Sequence, residues 1–193
     1  MDKIAFTSDT HFGHRLMIEK NLRPFTSTKE MDEFLIKRWN EVVTRNTFIY
    51  HLGDFSFASM DRTIEILKQL NGIKFLILGN HDDMMLDKKI SGFFRWVKTY
   101  EEIKIFDDLE VEPLRHKITL CHYPFEVWNR SHYGQWSLHG HSHGSLKSNQ
   151  LNNKKRLDVG VDCNNYAPFT YAQVKELMKL KTSETLDHHE YRD

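Results

Sequence analysis

The stretch Phe75-Leu76-Ile77-Leu78-Gly79-Asn80-His81-Asp82 narrows the fold more than any other part of the chain. Four large apolar residues run into a Gly, and three polar side chains follow. An apolar run this short, closed by Gly, reads as a buried strand. The Gly lets the backbone turn sharply where the strand ends. Asn80, His81 and Asp82 then stand at the carboxyl edge of a strand, where open α/β sheets place their ligands. Taken alone, Gly-Asn-His-Asp also reads as an ordinary turn. The same strand-then-polar pattern recurs four more times along the chain, and the recurrence favours a site.

Lys3 to Ser8 reads as the first strand, followed by Asp9-Thr10-His11-Phe12-Gly13-His14. On an extended strand end, Asp9 and His11 point the same way and one cation can take both. A short helix is expected over 15–20. Ser27-Thr28-Lys29-Glu30 is a capping-box signature that opens a helix to about Val43, with Met31, Phe34, Leu35 and Trp39 on its apolar face. Thr47 to Leu52 is a second strand and ends in Gly53-Asp54, where the Asp is either a ligand or a helix cap. Ser59 or Asp61 starts the next helix, over 63–70, and Asn71-Gly72 closes it. The order β-α-β-α-β implies parallel strands with right-handed crossovers. Residues 84–99 read as a partly helical connection.

Beyond residue 100 the texture changes. Segments 102–106, 109–112 and 117–121 are short and alternating, and read as a hairpin series in a second sheet. The last of them delivers His122, and Pro124 then leaves the strand. Loop 124–136 carries Phe125, Trp128, Arg130, His132, Tyr133 and Trp136, and is either functional or a covered surface loop. His139, His141 and His143 follow at i, i+2 and i+4; if extended, they face one way, and metal ligation accounts for them best. Arg156 to Val161 is another strand, ending at Asp162. Thr170 caps a final helix to about Leu180. Residues 1–180 thus form one α/β domain, and 181–193, with His188 and His189, form a frayed polar tail.

The totals fit this reading. A chain of 193 residues with 39% hydrophobic content holds one substantial core. Zero formal net charge argues against long nucleic acid as a partner, without excluding it. No apolar run is long enough to span a membrane, and the start of the chain lacks the layout of a signal peptide, so a cytoplasmic location is expected. Two cysteines, Cys121 and Cys163, suit reducing surroundings. Twelve histidines are the unusual feature, since His is the commonest transition-metal ligand.

Collected in order, the polar strand ends are an Asp-x-His, a Gly-Asp, a Gly-Asn-His-Asp, a lone His and a Gly-His-x-His. This set, from Asp9 to His143, resembles the calcineurin-like metallophosphoesterase superfamily in the order and spelling of its blocks. It is most similar to small bacterial and phage phosphoesterases whose first block reads Ser-Asp-x-His-Phe-Gly-His. The resemblance implies a four-layer α-β-β-α sandwich of two mixed sheets. It also implies two divalent metal ions: Asp9, His11 and His143 on the first, Asn80, His122 and His141 on the second, and Asp54 bridging. Mixed imidazole and carboxylate ligands suit transition metals, with Mn expected first and Fe, Ni or Zn as alternatives.

The expected reaction is hydrolysis of a small phosphoester by a metal-bridging hydroxide. His81 protonates the leaving oxygen or stabilises phosphoryl charge. His14 contacts the phosphate or protonates the leaving group. Asp82 either orients His81 or only packs, and His139 sits behind a ligand and orients it. Arg130 neutralises phosphate, and Trp128 or Tyr123 stacks on a base. The Gly-Asp block continues as Phe55-Ser56-Phe57 rather than Asp-Arg-Gly, which argues against a protein phosphatase. A nucleotide-like phosphodiester is the favoured substrate. The alternatives are a phosphomonoester and a non-catalytic scaffold, and the complete site speaks against the scaffold.

Overall fold

The computed structural model describes residues 3–20, 22–107, 114–146 and 154–183. Five strands form the first sheet in the order β4-β3-β2-β1-β9. They are β1 (Ile4–Thr7), β2 (Phe48–His51), β3 (Ile73–Ile77), β4 (Phe94–Lys98) and β9 (Phe169–Thr170). The first four run parallel, and β9 pairs antiparallel with β1. The second sheet has the order β5-β6-β7-β8, from β5 (Tyr100–Asp107), β6 (Leu114–Cys121), β7 (Trp136–His139) and β8 (Arg156–Asp158). Both sheets are mixed, and helices flank them, as the resemblance implies.

Side-chain alternation along the strands explains the layering. Ala5, Ile49 and Leu76 point to one side of the first sheet. There they meet Met31, Leu35 and Trp39 of α1 (Thr28–Val42) and Ile66 and Leu67 of α2 (Met60–Gln69). Phe6, Leu52 and Ile77 point to the other side and meet Ile118, Leu120 and Leu138 of the second sheet. The last helix, Tyr171–Lys179, adds Val174 and Met178 to this inter-sheet core. Thr170 starts that helix with a complete capping box, its hydroxyl accepting from Gln173 N and the Gln173 side chain accepting from Thr170 N. At Ser27 the box is only half made, because the Glu30 carboxylate turns instead to Thr26 N, at 2.8 Å.

Several sequence expectations need correction. Residues 84–99 hold a single-turn helix (Lys88–Ser91) and then strand β4, so Phe94 and Trp96 are strand residues. Trp96 packs on Phe75, with centroids 5.2 Å apart, as an aromatic cross-strand neighbour. Of the two expected starts for the helix after Asp54, Ser59 is the cap, and the helix begins at Met60 rather than at 63. Of the expected hairpin series, 102–106 and 117–121 pair antiparallel within β5 and β6, and the sheet then continues in parallel through β7 and β8. The expected strand 109–112 and the tail histidines lie outside the described residues. β8 ends at Asp158, after which Gly160 crosses to bridge Ser8 of the first sheet. Among the described residues no helix is long and apolar enough to cross a membrane.

The parallel arrangement brings the carboxyl ends of β1, β2 and β3 to one edge, and those of β6 and β7 to the facing edge. Leu120 lies under this junction and is fully buried. Leu120→Ala is expected to lower the unfolding free energy by about 2–5 kcal/mol. Denaturant melts of both proteins check this, and coincident midpoints would contradict the inter-sheet core described here.

Candidate metal centre

Two loops run side by side beyond β1 and β2 and continue their ladder. Asp9 N donates to Gly53 O at 2.9 Å, His11 N to Asp54 O at 3.1 Å and Phe12 N to Phe55 O at 3.0 Å. Side chains fasten the same pair of loops. Ser8 Oγ donates to Leu52 O at 2.9 Å, and Thr10 Oγ1 to Phe55 O at 2.8 Å. Thr10 Oγ1 also lies 3.0 Å from His51 Nε2. Asp82 completes the clamp from the third loop: Oδ2 accepts from Asp54 N at 2.7 Å and Gly79 N at 2.8 Å, and Oδ1 from Phe55 N at 2.8 Å. Burial pushes the Asp82 pKa up against these hydrogen bonds. Its oxygens therefore hold three backbone N–H groups of the clamp.

The expected ligands converge at this edge. Asp9 and Asp54 are buried, as are His11 and His122, whereas Asn80 and His141 are exposed. Asp54 Oδ1 accepts from His81 N at 3.0 Å. That leaves Asp54 Oδ2, which lies 3.7 Å from His11 Nε2 and 3.7 Å from His122 Nε2. Asp9 Oδ1 lies 3.8 Å from both His11 Nε2 and His143 Nε2. Asn80 Oδ1 sits 3.0 Å from His122 Nε2 and 3.1 Å from His141 Nδ1.

Hydrogen-bond partners assign the tautomers, and these expose a conflict. His122 Nδ1 donates to Leu52 O at 2.8 Å, so its neutral ring points the Nε2 lone pair at Asn80 and Asp54. His143 Nδ1 donates to Asp162 Oδ2 at 2.6 Å, which turns its Nε2 toward Asp9. His11 Nε2 is buried with no hydrogen-bond partner, facing two carboxylates. Around His122 an acceptor nitrogen thus faces acceptor oxygens, and a shared cation resolves that conflict. Asp9, His11 and His143 bring ligand atoms within 4.8 Å of one another, and so do Asp9, Asp54 and His122. The donor set and the orphaned His11 nitrogen fit divalent transition metals.

Backbone strain marks the same residues. Asp9 (φ 55°), His11 (49°), Asp54 (57°), His141 (67°) and His143 (46°) all adopt the left-handed region. Such a conformation costs about 1–2 kcal/mol per residue away from Gly, so the surroundings must impose it. It also corrects the expected triple alignment. His141 and His143 lie on a turn and aim at different partners, while His139 ends β7 and is buried. His139 Nδ1 donates to Gly140 O at 2.8 Å, so it meets the ligand segment only through backbone. Two glycines permit the close approach: a Cβ at Gly79 would overlap Asp54 Oδ1, and one at Gly140 would overlap Ser8 Oγ and Asp9 Oδ2.

At the rim, His14 Nδ1 lies 3.2 Å from His11 Nδ1, and its ring stacks on Phe57 at 3.7 Å. Burial, then the charges of His11, His81 and Arg23, push its pKa down to about 4. His81 is exposed, with its ring 4.9 Å from that of Phe57. Tyr123 is 47% exposed and stands edge-on to His122 and His141. Trp128 corrects an expectation: it is buried, and its Nε1 donates to Gln135 O at 2.9 Å, so it offers no face to a base. Arg130 stands over the Tyr133 ring, 5.1 Å from its centroid.

Sequence reasoning missed Phe57, His51, Arg23 and Asp162. Phe57 lies three residues after Asp54, and its nearness to the Gly-Asp block is the available signal. Asp162 was seen only as a strand end. Arg23 lies in a loop with no motif around it.

The scaffold and the site together place the chain among metal-dependent phosphoester hydrolases. Residues 2–169 match the calcineurin-like phosphoesterase model, and the chain belongs to that family. It is similar to an uncharacterized protein of Methanocaldococcus jannaschii, 32% identical over 184 residues that cover 93% of each chain. It is also similar to the gene 66 protein of Mycobacterium phage L5, 30% identical over 84% of this chain and 87% of that one. A protein of unknown function from Aquifex aeolicus shares the fold, with a TM-score of 0.68 at 23% identity, over 90% of this chain and 98% of that one.

His51 gives the loop clamp a pH signature. Burial pushes its pKa down to about 3, against roughly 6.5 in an unfolded chain. Below about pH 6.5 the unfolded chain gains a proton that the folded chain refuses. Stability is therefore lost by about 1.4 kcal/mol per pH unit from there down toward the folded pKa. In metal-free protein, His51→Gln is expected to flatten the pH dependence of unfolding by that slope. Parallel curves for the two proteins would contradict a neutral buried His51.

Proposed function

We propose that this chain is a phosphodiesterase that works with two divalent cations, Mn first among them, on a small nucleotide-like phosphodiester. The observation that carries the dinuclear reading is Asp54 Oδ2, equally distant at 3.7 Å from the Nε2 atoms of His11 and His122. Asp9, His11 and His143 would hold one cation, and Asn80, His122 and His141 the other. Asp54 would serve both, since a carboxylate oxygen can bridge where an imidazole nitrogen cannot. When bound, such a pair supplies Lewis-acid charge at phosphorus and an acidified water as nucleophile.

The chain's own groups supply the rest. His81 is tied by its backbone N–H to the bridging carboxylate, so its ring has a defined place beside the site. It is exposed and carries a proton donor to the leaving oxygen, work worth roughly 10²–10⁴-fold in rate. His14 is the weaker candidate for that role. Its Nδ1 is engaged with His11 and one ring face is covered by Phe57, so it steadies the His11 ring. Phe57 and Tyr123 present exposed aromatic surface next to the first and second ligand sets. Two such surfaces suit the two organic arms of a diester, and a base can stack on either. Arg23, a cation that acts on His11, His14 and His143, is buried and committed to backbone and Asp162. It is not placed to meet the second negative charge of a monoester.

Metal-stripped protein resupplied with Mn is the test. Turnover of bis-p-nitrophenyl phosphate is expected to exceed that of p-nitrophenyl phosphate; the reverse order would favour a phosphomonoesterase. On a dinucleotide, whose alkoxide leaving group needs a proton, His81→Ala is expected to lose about 10²–10⁴-fold in kcat at unchanged Mn content. Equal kcat in His81→Ala and wild type would remove the acid role. Asp54→Ala is expected to lose bound Mn altogether.

A further inference from the structure

Arg23 and Asp162 are 139 residues apart in sequence, yet they meet behind His143. We propose that they form a buried brace that positions His143 and so governs the affinity of the centre for one of its two cations. This rests on the dinuclear reading above.

The need for a brace comes from where His143 sits. It lies on an irregular turn at φ 46°, outside any strand, with its side chain about one-third exposed. Nothing in the local backbone dictates which way the ring faces. The hydrogen bond from Nδ1 to Asp162 Oδ2, at 2.6 Å, does so, and it leaves Nε2 toward Asp9. A carboxylate on the far nitrogen of a ligating imidazole also raises its basicity.

Asp162 is held in turn. Arg23 Nε donates to its Oδ1 and Nη2 to its Oδ2, each at 2.9 Å, in a two-pronged pair. The Arg23 side chain is fully buried. Its remaining donors reach Asp9 O at 2.6 Å and Thr10 O at 2.8 Å. One guanidinium therefore registers the backbone of Asp9 against the carboxylate that aims His143. Those two residues would share a cation. The turn that carries Asp162 is tied to the same strand end, with Val161 N donating to Ser8 O at 3.0 Å. His122 has no such need, because the Leu52 carbonyl orients it. The competing view is that Arg23–Asp162 is an ion pair that fastens the fold and nothing more.

The test is a Mn titration of the full-length, metal-stripped chain by equilibrium dialysis, with a thermal melt of each metal-free variant to confirm folding. Asp162→Asn is expected to weaken one Mn equivalent by about 10–100-fold and leave the other unchanged. Arg23→Lys, which lacks the planar fork, is expected to weaken the same equivalent and stands in if Asp162→Asn fails to fold. His143→Ala should weaken that equivalent too. The double variant Asp162→Asn/His143→Ala should bind no more weakly than His143→Ala alone, because Asp162 acts only through His143. Unchanged binding in both brace variants, equal weakening of both equivalents, or a double variant showing the product of the two losses would each overturn the brace. A wild type that takes up a single Mn, weakened by Asp162→Asn, would instead sink the dinuclear reading and keep the brace. A wild type that takes up none would sink both.

Discussion

At the edge where the two sheets meet, two buried carboxylates and the ring nitrogens of three histidines converge. Asp9 and Asp54 are both buried, with ligand atoms inside 4.8 Å of each other. Two carboxylates at such a distance repel by about 3–4 kcal/mol at an effective dielectric of about 20. The imidazoles do not relieve this as hydrogen-bond donors. His122 spends its N–H on Leu52, His143 spends its own on Asp162, and His11 Nε2 has no partner. Positive charge at the centre is what makes the arrangement favourable, and the family's dependence on divalent metals follows from it.

Holding acceptors together demands rigidity, and the fold supplies it through backbone. The loops after β1 and β2 are laddered to each other, and Asp82 gathers the N–H groups of Asp54, Phe55 and Gly79. Left-handed conformations at Asp9, His11, Asp54, His141 and His143 aim the side chains inward. A regular strand or helix would alternate these side chains between faces or wind them around an axis. The cost of the left-handed backbone is met by the hydrophobic cores on both faces of the first sheet, which fix where each loop begins and ends. Function and stability are therefore set against each other at five residues that follow three strands, β1, β2 and β7.

Much of this was legible in the sequence, for definable reasons. Short apolar runs closed by Gly (β2, β3) or by polar residues alone (β1, β6) gave away these strands, because buried strands need apolar side chains and their ends need turns. Candidate ligand residues stand at those ends, so their positions can be read along with the strands. What escaped depends on tertiary contact. β4 looked helical because Phe93, Phe94 and Trp96 follow a short helix and carry no alternation. The parallel pairing of β7 and β8 is set by what each strand meets. The histidines at 139, 141 and 143 share a spacing, yet the turn after β7 separates their directions. Trp128 looked available from its loop, and only packing shows its N–H spoken for. Arg23 and Asp162 carry no local signal, since their meaning lies in each other.

The most direct test of a cation-demanding, two-part centre is anomalous diffraction from a crystal of the protein soaked with Mn. The account predicts two anomalous peaks about 3.5–4 Å apart. One should lie among Asp9, His11 and His143 and the other among Asn80, His122 and His141, with Asp54 touching both. A lone peak elsewhere, or ordered water in place of both peaks at saturating Mn, would contradict it.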